Sequence, residues 1–174
     1  MRNGYHLSQI VMHWFIALLL PIQYLTGGSI ERTHHAVHMG MQPASSDILQ
    51  HTIHNYAGLL IGAAMVLRLL LRVLQPPSPR KRLKGQHLAA ALLHGSMYVA
   101  IIFQAALGVV ASYVTFAVAP LHVIGSNVIL AVVGLHFVAA AWHTLVRRDA
   151  TLDRMMLPRS DQPRTWTVKN AKTT

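Results

Sequence analysis

Residues 120–143 read PLHVIGSNVILAVVGLHFVAAAWH. The stretch is long enough to cross a bilayer, which takes about 20 apolar residues, and it contains no Asp, Glu, Lys or Arg. It nevertheless holds His122, His136 and His143. A helix turns by about 100° and rises by about 1.5 Å per residue, so His122 and His136 share a face about 21 Å apart along the axis. His143, about two turns further on, lies on nearly the same face. A polar ring among lipid chains is costly unless something bonds it. Each imidazole therefore needs a partner at its own depth.

The rest of the chain has the same character. Of 174 residues, 53% are hydrophobic and 11% charged, which is too apolar for an ordinary soluble domain. The formal charge of +10 sits in segments that flank apolar runs, so it fits a membrane surface rather than a nucleic acid. The absence of cysteine excludes disulfides, thiolate-held metals, iron–sulfur clusters and haem of the c type. With 12 histidines present, histidine is the ligand for any metal or haem.

Four stretches can span a bilayer: Leu7 to Thr26, Ile53 to Leu74, about Leu88 to Phe116, and about Ala119 to Val146. The first lacks a small-x-small cleavage site and has an interior His13 and Pro21, so it reads as a retained span. Between spans two and three lies RVLQPPSPRKRLKG, with Arg80, Lys81, Arg82 and Lys84 among its basic residues. The tail after span four, RRDATLDRMMLPR, is basic too, whereas the other two connections hold only Arg32. The positive-inside rule then puts both termini and the middle connection in the cytoplasm. The expected fold is all-α, a transmembrane four-helix bundle over residues 1–157, followed by a polar, disordered cytoplasmic tail over 158–174. No internal repeat stands out along the chain.

This topology sorts the histidines by depth. His54 starts span two at the outer surface, level with His122. His13 lies in the inner half of span one, level with His136. The expected pairs are His54–His122 and His13–His136. Two stacked bis-histidine sites in a helix bundle can hold two b-type haems, although the spacing alone fits zinc or copper as well. Gly58, Gly62, Gly125 and Gly134 are expected to make room for a macrocycle.

The segments LSQIVMHW (7–14), IHNYAGLLIGAAMVLRLLLR (53–72), LLHGSMY (92–98), LHVIGSNVILAVVGLHFVAAAWH (121–143) and RRDATLDRMM (147–156) together carry a resemblance. Over roughly residues 5–157 the chain resembles the bacterial cytochrome b561 family of small di-haem inner-membrane proteins. The resemblance implies two haem b groups, ligated through His13, His54, His122 and His136. Its short members resemble superoxide oxidases, which take electrons from periplasmic superoxide and pass them to ubiquinone. Others carry electrons between quinone and a partner such as hydrogenase or a soluble periplasmic cytochrome. Two features depart from the superoxide-oxidising type. The connection between spans three and four is shorter, and Arg32 on the outer side is offset by Glu31 and Asp47, where a steering field for an anion wants fixed positive charge.

Other residues have candidate roles. Arg68 shares the face of His54 and suits a haem propionate; it equally suits cytoplasmic headgroups, the reading kept for Arg72. His143, near the inner boundary, fits a quinone carbonyl and proton relay, or an interfacial position. His94 is a weaker candidate for the quinone and reads better as a helix–helix hydrogen-bonding residue. ERTHHAVHMGMQPASSDILQH (31–51) reads as a solvated outer loop, in which His34 and His38 have metal-ligand spacing if helical. Trp14, Trp142, Tyr5, Tyr24 and Tyr113 fit aromatic belts, and Pro21 is expected to kink span one.

Three functions follow as expectations. The first is a haem oxidoreductase taking electrons from superoxide outside to quinone inside. The second is an electron-transfer subunit between the quinone pool and a periplasmic redox protein. The third is a non-redox, histidine-based metal binder, which predicts a colourless protein.

Overall fold

The computed structural model describes residues 6–74, 85–147 and 156. Tyr5, the basic residues Arg80, Lys81, Arg82 and Lys84, and the tail 158–174 lie outside the described residues. Among the described residues the helices are α1 Leu7–His38, α2 Ser45–Leu74, α3 Gln86–Tyr113 and α4 Ala119–Leu145. A single 3-10 turn, Phe116–Val118, links α3 to α4. All four helices are long and apolar enough to cross a membrane, and in lipid a helix satisfies its backbone polar groups internally.

The first two helices are longer than their apolar runs. Residues 27–52, expected as an outer loop, are mostly helical, and the connection is only 39–44. The apolar run marks depth in lipid, whereas backbone hydrogen bonding continues until something breaks it. The break is Gly40, at φ 67°, a left-handed conformation that favours glycine. Met41 N–H then donates to Ala36 O over 2.8 Å, closing the helix end, and Pro43 follows. Arg32 ties the two extensions together, donating from Nε to Asp47 over 2.8 Å and from its terminal nitrogen to Gln50 over 3.3 Å. At the other hairpin, Thr115 Oγ1 accepts from Ala117 N–H, and Pro120 sits in the first turn of α4. Pro21 lies within α1, which runs on through it.

Helix α1 packs on α2, α2 on α3, and α3 on α4. Tyr24 of α1 donates its hydroxyl to Ser126 O of α4 over 2.7 Å. The bundle thus has a hairpin end, with the α1–α2 and α3–α4 turns, and a termini end. Its buried apolar cluster is Ile16, Ile61, Ala64, Met65, Tyr98, Ile101 and Ile129. These residues fall between the two levels of histidine in the sequence: Ile61 lies between His54 and Arg68, and Ile129 between His122 and His136. Most other apolar side chains face outward, as lipid-facing surfaces require.

Candidate functional site: two histidine pairs

At the hairpin end, α2 and α4 bring His54 and His122 together. Their ring centroids are 6.3 Å apart and their planes cross at 76°. A metal–imidazole bond is about 2.0–2.1 Å and a ring nitrogen lies about 1.1 Å from the ring centre, so one metal held in line between two imidazoles sets their centres about 6.3 Å apart. The separation fits such a metal.

The surroundings prepare His54 as a ligand. Its Nδ1 lies 3.1 Å from Gln23 O. A carbonyl only accepts, so Nδ1 carries the proton and Nε2 keeps its lone pair for a metal. Thr26 Oγ1, 3.3 Å from the same Nδ1, already donates to Ile22 O, so it too accepts. His122 differs, because its Nδ1 is buried without a hydrogen-bond partner.

Two glycines besides the four expected to make room for a macrocycle lie against these rings. A Cβ on Gly27 would meet His54 Cε1 at 3.6 Å, and one on Gly108 would meet His122 Cε1 at 3.0 Å. Of the expected four, Gly58 faces Gln23, Gly62 faces Ala105, Gly125 faces Gln104, and Gly134 has open space beside it. A cavity of about 1170 Å³ is lined by His54, His122, Gly27 and Gly108 and also by His34 and His51. That is slightly above the usual range of ligand-site volumes, about 300–1,000 Å³.

At the termini end, His13 of α1 and His136 of α4 have centroids 6.2 Å apart and planes at 77°. The same metal-bridging separation recurs one level down the bundle. Arg68 of α2 reaches this group, its Nη1 lying 2.9 Å from His13 Nδ1, and both Arg68 and Arg72 lie over the Tyr98 ring. His94 of α3 belongs here as well: its ring centroid is 5.2 Å from that of His136, and its Nδ1 donates to Ala90 O over 2.6 Å. The sequence reading missed this placement. The signal lay in depth, since His94 is about as far into α3 as His13 is into α1, and both helices start at the termini end. His143 lies half-buried, seven residues beyond His136, near the end of α4.

The histidines at the first hairpin lie on helices. His34 stacks on Phe116 at 4.4 Å and lies 5.9 Å from His51. Among the described residues, no group of three or more His, Asp or Glu side chains is arranged to hold a metal ion.

Comparison with known proteins assigns the chain to a family. The model of the family described as prokaryotic cytochrome b561 matches residues 4–158. Cytochrome b562 of Cereibacter sphaeroides is 32% identical over 158 residues, covering 90% of this chain and 97% of that protein. Probable superoxide oxidase CybB of Yersinia pestis is 28% identical, with 90% and 97% covered. Cytochrome b561 homolog 1 of Escherichia coli is 25% identical, with 88% and 97% covered.

Proposed function

Because the chain belongs to the prokaryotic cytochrome b561 family, multi-pass inner-membrane proteins that transfer electrons with haem b, we propose that it holds two haems and oxidises periplasmic superoxide at the expense of ubiquinone. The observation that carries this is the recurrence of one geometry at two depths: histidine pairs 6.3 and 6.2 Å apart, each the width of a single metal centre. His54 with His122 would hold the outer haem, and His13 with His136 the inner one. Both termini face the cytoplasm, so the hairpin end faces the periplasm.

Held by these pairs, haem would supply one-electron chemistry. The chain's own residues do the rest. Gln23 O and Thr26 hold the proton of His54 on Nδ1. Ile16, Ile61, Ile101 and Ile129 keep a dry layer between the two levels. Arg68 supplies a fixed cation for a propionate at the inner level. His143 sits where it can donate to a quinone carbonyl and pass on a proton. Two superoxide anions each lose one electron and leave as dioxygen; a quinone gains two electrons and two protons.

A second reading is supported by Arg32. Its guanidinium is tied to Asp47 at 2.8 Å, so the fixed positive charge at the hairpin end is largely neutralised. That suits a protein redox partner better than a steered small anion, and makes the chain an electron-transfer subunit.

The test is a reduced-minus-oxidised visible spectrum of the purified protein with haem counted per chain. About two haems, reduced rapidly by superoxide and reoxidised by quinone, is the expected result. Two haems indifferent to superoxide select the second reading. A colourless protein overturns both.

A further inference from the structure

The two hairpins use the same parts in the same order. His13, Gln23 and Gly27 of α1 recur in α3 as His94, Gln104 and Gly108, each 81 residues on (13 to 94, 23 to 104, 27 to 108). His54 and Arg68 of α2 recur in α4 as His122 and His136, each 68 residues on (54 to 122, 68 to 136). Few other positions match, so the repeat is hidden along the chain and emerges only from the contacts. It relates α1–α2 to α3–α4 in the same orientation, as parallel repeats in membrane proteins do. The counterparts His54 and His122 face one another at the hairpin end. The counterparts His13 with His94, and Arg68 with His136, all gather at the termini end.

The contacts repeat as well. Gln23 Nε2 donates to His54 O over 2.9 Å, and Gln104 Nε2 donates to His122 O over 2.7 Å. Each carbonyl lies inside a helix and uses its second lone pair for this bond. In each hairpin the glutamine amide lies against a glycine of the neighbouring helix, Gly58 or Gly125. In each, the glycine one turn beyond the glutamine, Gly27 or Gly108, faces the imidazole of the clasped residue.

We propose that Gln23 and Gln104 are matched positioning residues of the outer histidine pair, each pinning its histidine by the backbone while the glycine one turn on receives the ring. The proposal rests on the haem-ligand reading of His54 and His122. Both histidines project from α2 and α4, while both glutamines belong to α1 and α3. Each amide therefore fixes the rotation and height of the ligand-bearing helix against its hairpin mate, and the two together set the gap between the rings. The halves differ in one respect: Gln23 also accepts from His54 Nδ1 through its own carbonyl, whereas His122 Nδ1 and Gln104 Oε1 are both buried without partners. The two ligands are thus unequal, and the Gln104 side is the less constrained.

The test uses the full-length protein with Gln23→Met and Gln104→Met, which keep bulk and remove the donor. Haem per chain, redox titration and ferric electron paramagnetic resonance are recorded, and the outer haem is identified as the one lost in His122→Ala. Two haems are expected to remain, with the outer midpoint potential and signal shifted and the inner ones as in wild type. Gly125→Ala, whose Cβ would overlap Gln104 Oε1, is expected to reproduce Gln104→Met and to add little to it. If Gln104→Met does not accumulate, Gln104→Asn, which withdraws the amide by one methylene, is read the same way. Unchanged outer potential and signal in both glutamine variants overturn the proposal, as does an equal shift of both haems, which marks general loosening. A wild-type protein without haem overturns the ligand reading itself and is recognised before any variant is compared.

Discussion

Arg68 Nη1 lies 2.9 Å from His13 Nδ1, joining α2 to α1 at the termini end of the bundle. A guanidinium only donates, so Nδ1 accepts and a neutral His13 carries its proton on Nε2. Ligation through Nε2 requires that proton to leave or Arg68 to turn to another acceptor. A propionate is the better acceptor, because a guanidinium binds carboxylate by a charge-assisted fork.

Arg68→Leu is therefore expected to lower the midpoint potential of the inner haem, since losing a cation favours the ferric state. A unit charge roughly 10 Å away, at an effective dielectric of about 20, is worth about 1.7 kcal/mol. For one electron that is roughly 70 mV. Redox titration checks it, and an unchanged or raised inner potential would remove Arg68 from the haem environment.

Haem stoichiometry separates ligands from neighbours. His122→Ala and His54→Ala are each expected to halve the haem content and spare the inner site, and His136→Ala to do the reverse. His94→Ala should keep two haems, because its ring centroid is only 5.2 Å from that of His136, too close for an iron held in line between the two rings. Loss of a haem in His94→Ala would mean that the inner pair is wrongly assigned.

Ring orientation has a spectroscopic consequence. The paired imidazole planes cross at 76° and 77°. Near-perpendicular axial rings leave the iron d orbitals close in energy, so both ferric haems are expected to give strongly anisotropic low-spin signals. A signal of the type given by parallel rings would show that haem binding rotates one ring of the pair.

Electrostatics at the hairpin end distinguishes the two functional readings. Asp47→Asn frees Arg32 from its ion pair. For a superoxide oxidase, the second-order rate with superoxide should rise severalfold at low salt, and the gain should fade above about 0.1 M as screening sets in. A rate that stays at the non-specific level in both proteins favours a protein donor.

Much of the architecture was legible in the chain. Four apolar runs imply four spans, and the depth of His13, His54, His122 and His136 along those spans implies which imidazoles can meet. Lipid imposes both inferences, because it forces helices and assigns each residue a depth. The helix ends at the first hairpin were not legible, since hydropathy reports burial in lipid and not where hydrogen bonding stops. The glycines that lie against the imidazoles were not legible for a related reason: a ring is accommodated by the helix it points toward, which carries Gly27 or Gly108.

By itself the sequence determined the class, the number of spans and the pairing of histidines by depth, because these follow from one coordinate, distance along the membrane normal. Only the tertiary structure decided what lies beside each ring at a given depth. It brought His94 against His136, turned Arg68 onto His13, and set the amides of Gln23 and Gln104 on the carbonyls of His54 and His122. Those facts depend on how each helix is rotated about its own axis. That rotation is set by side-chain packing and hydrogen bonds between helices, and in segments apolar on nearly every face the hydropathy pattern carries almost no record of it.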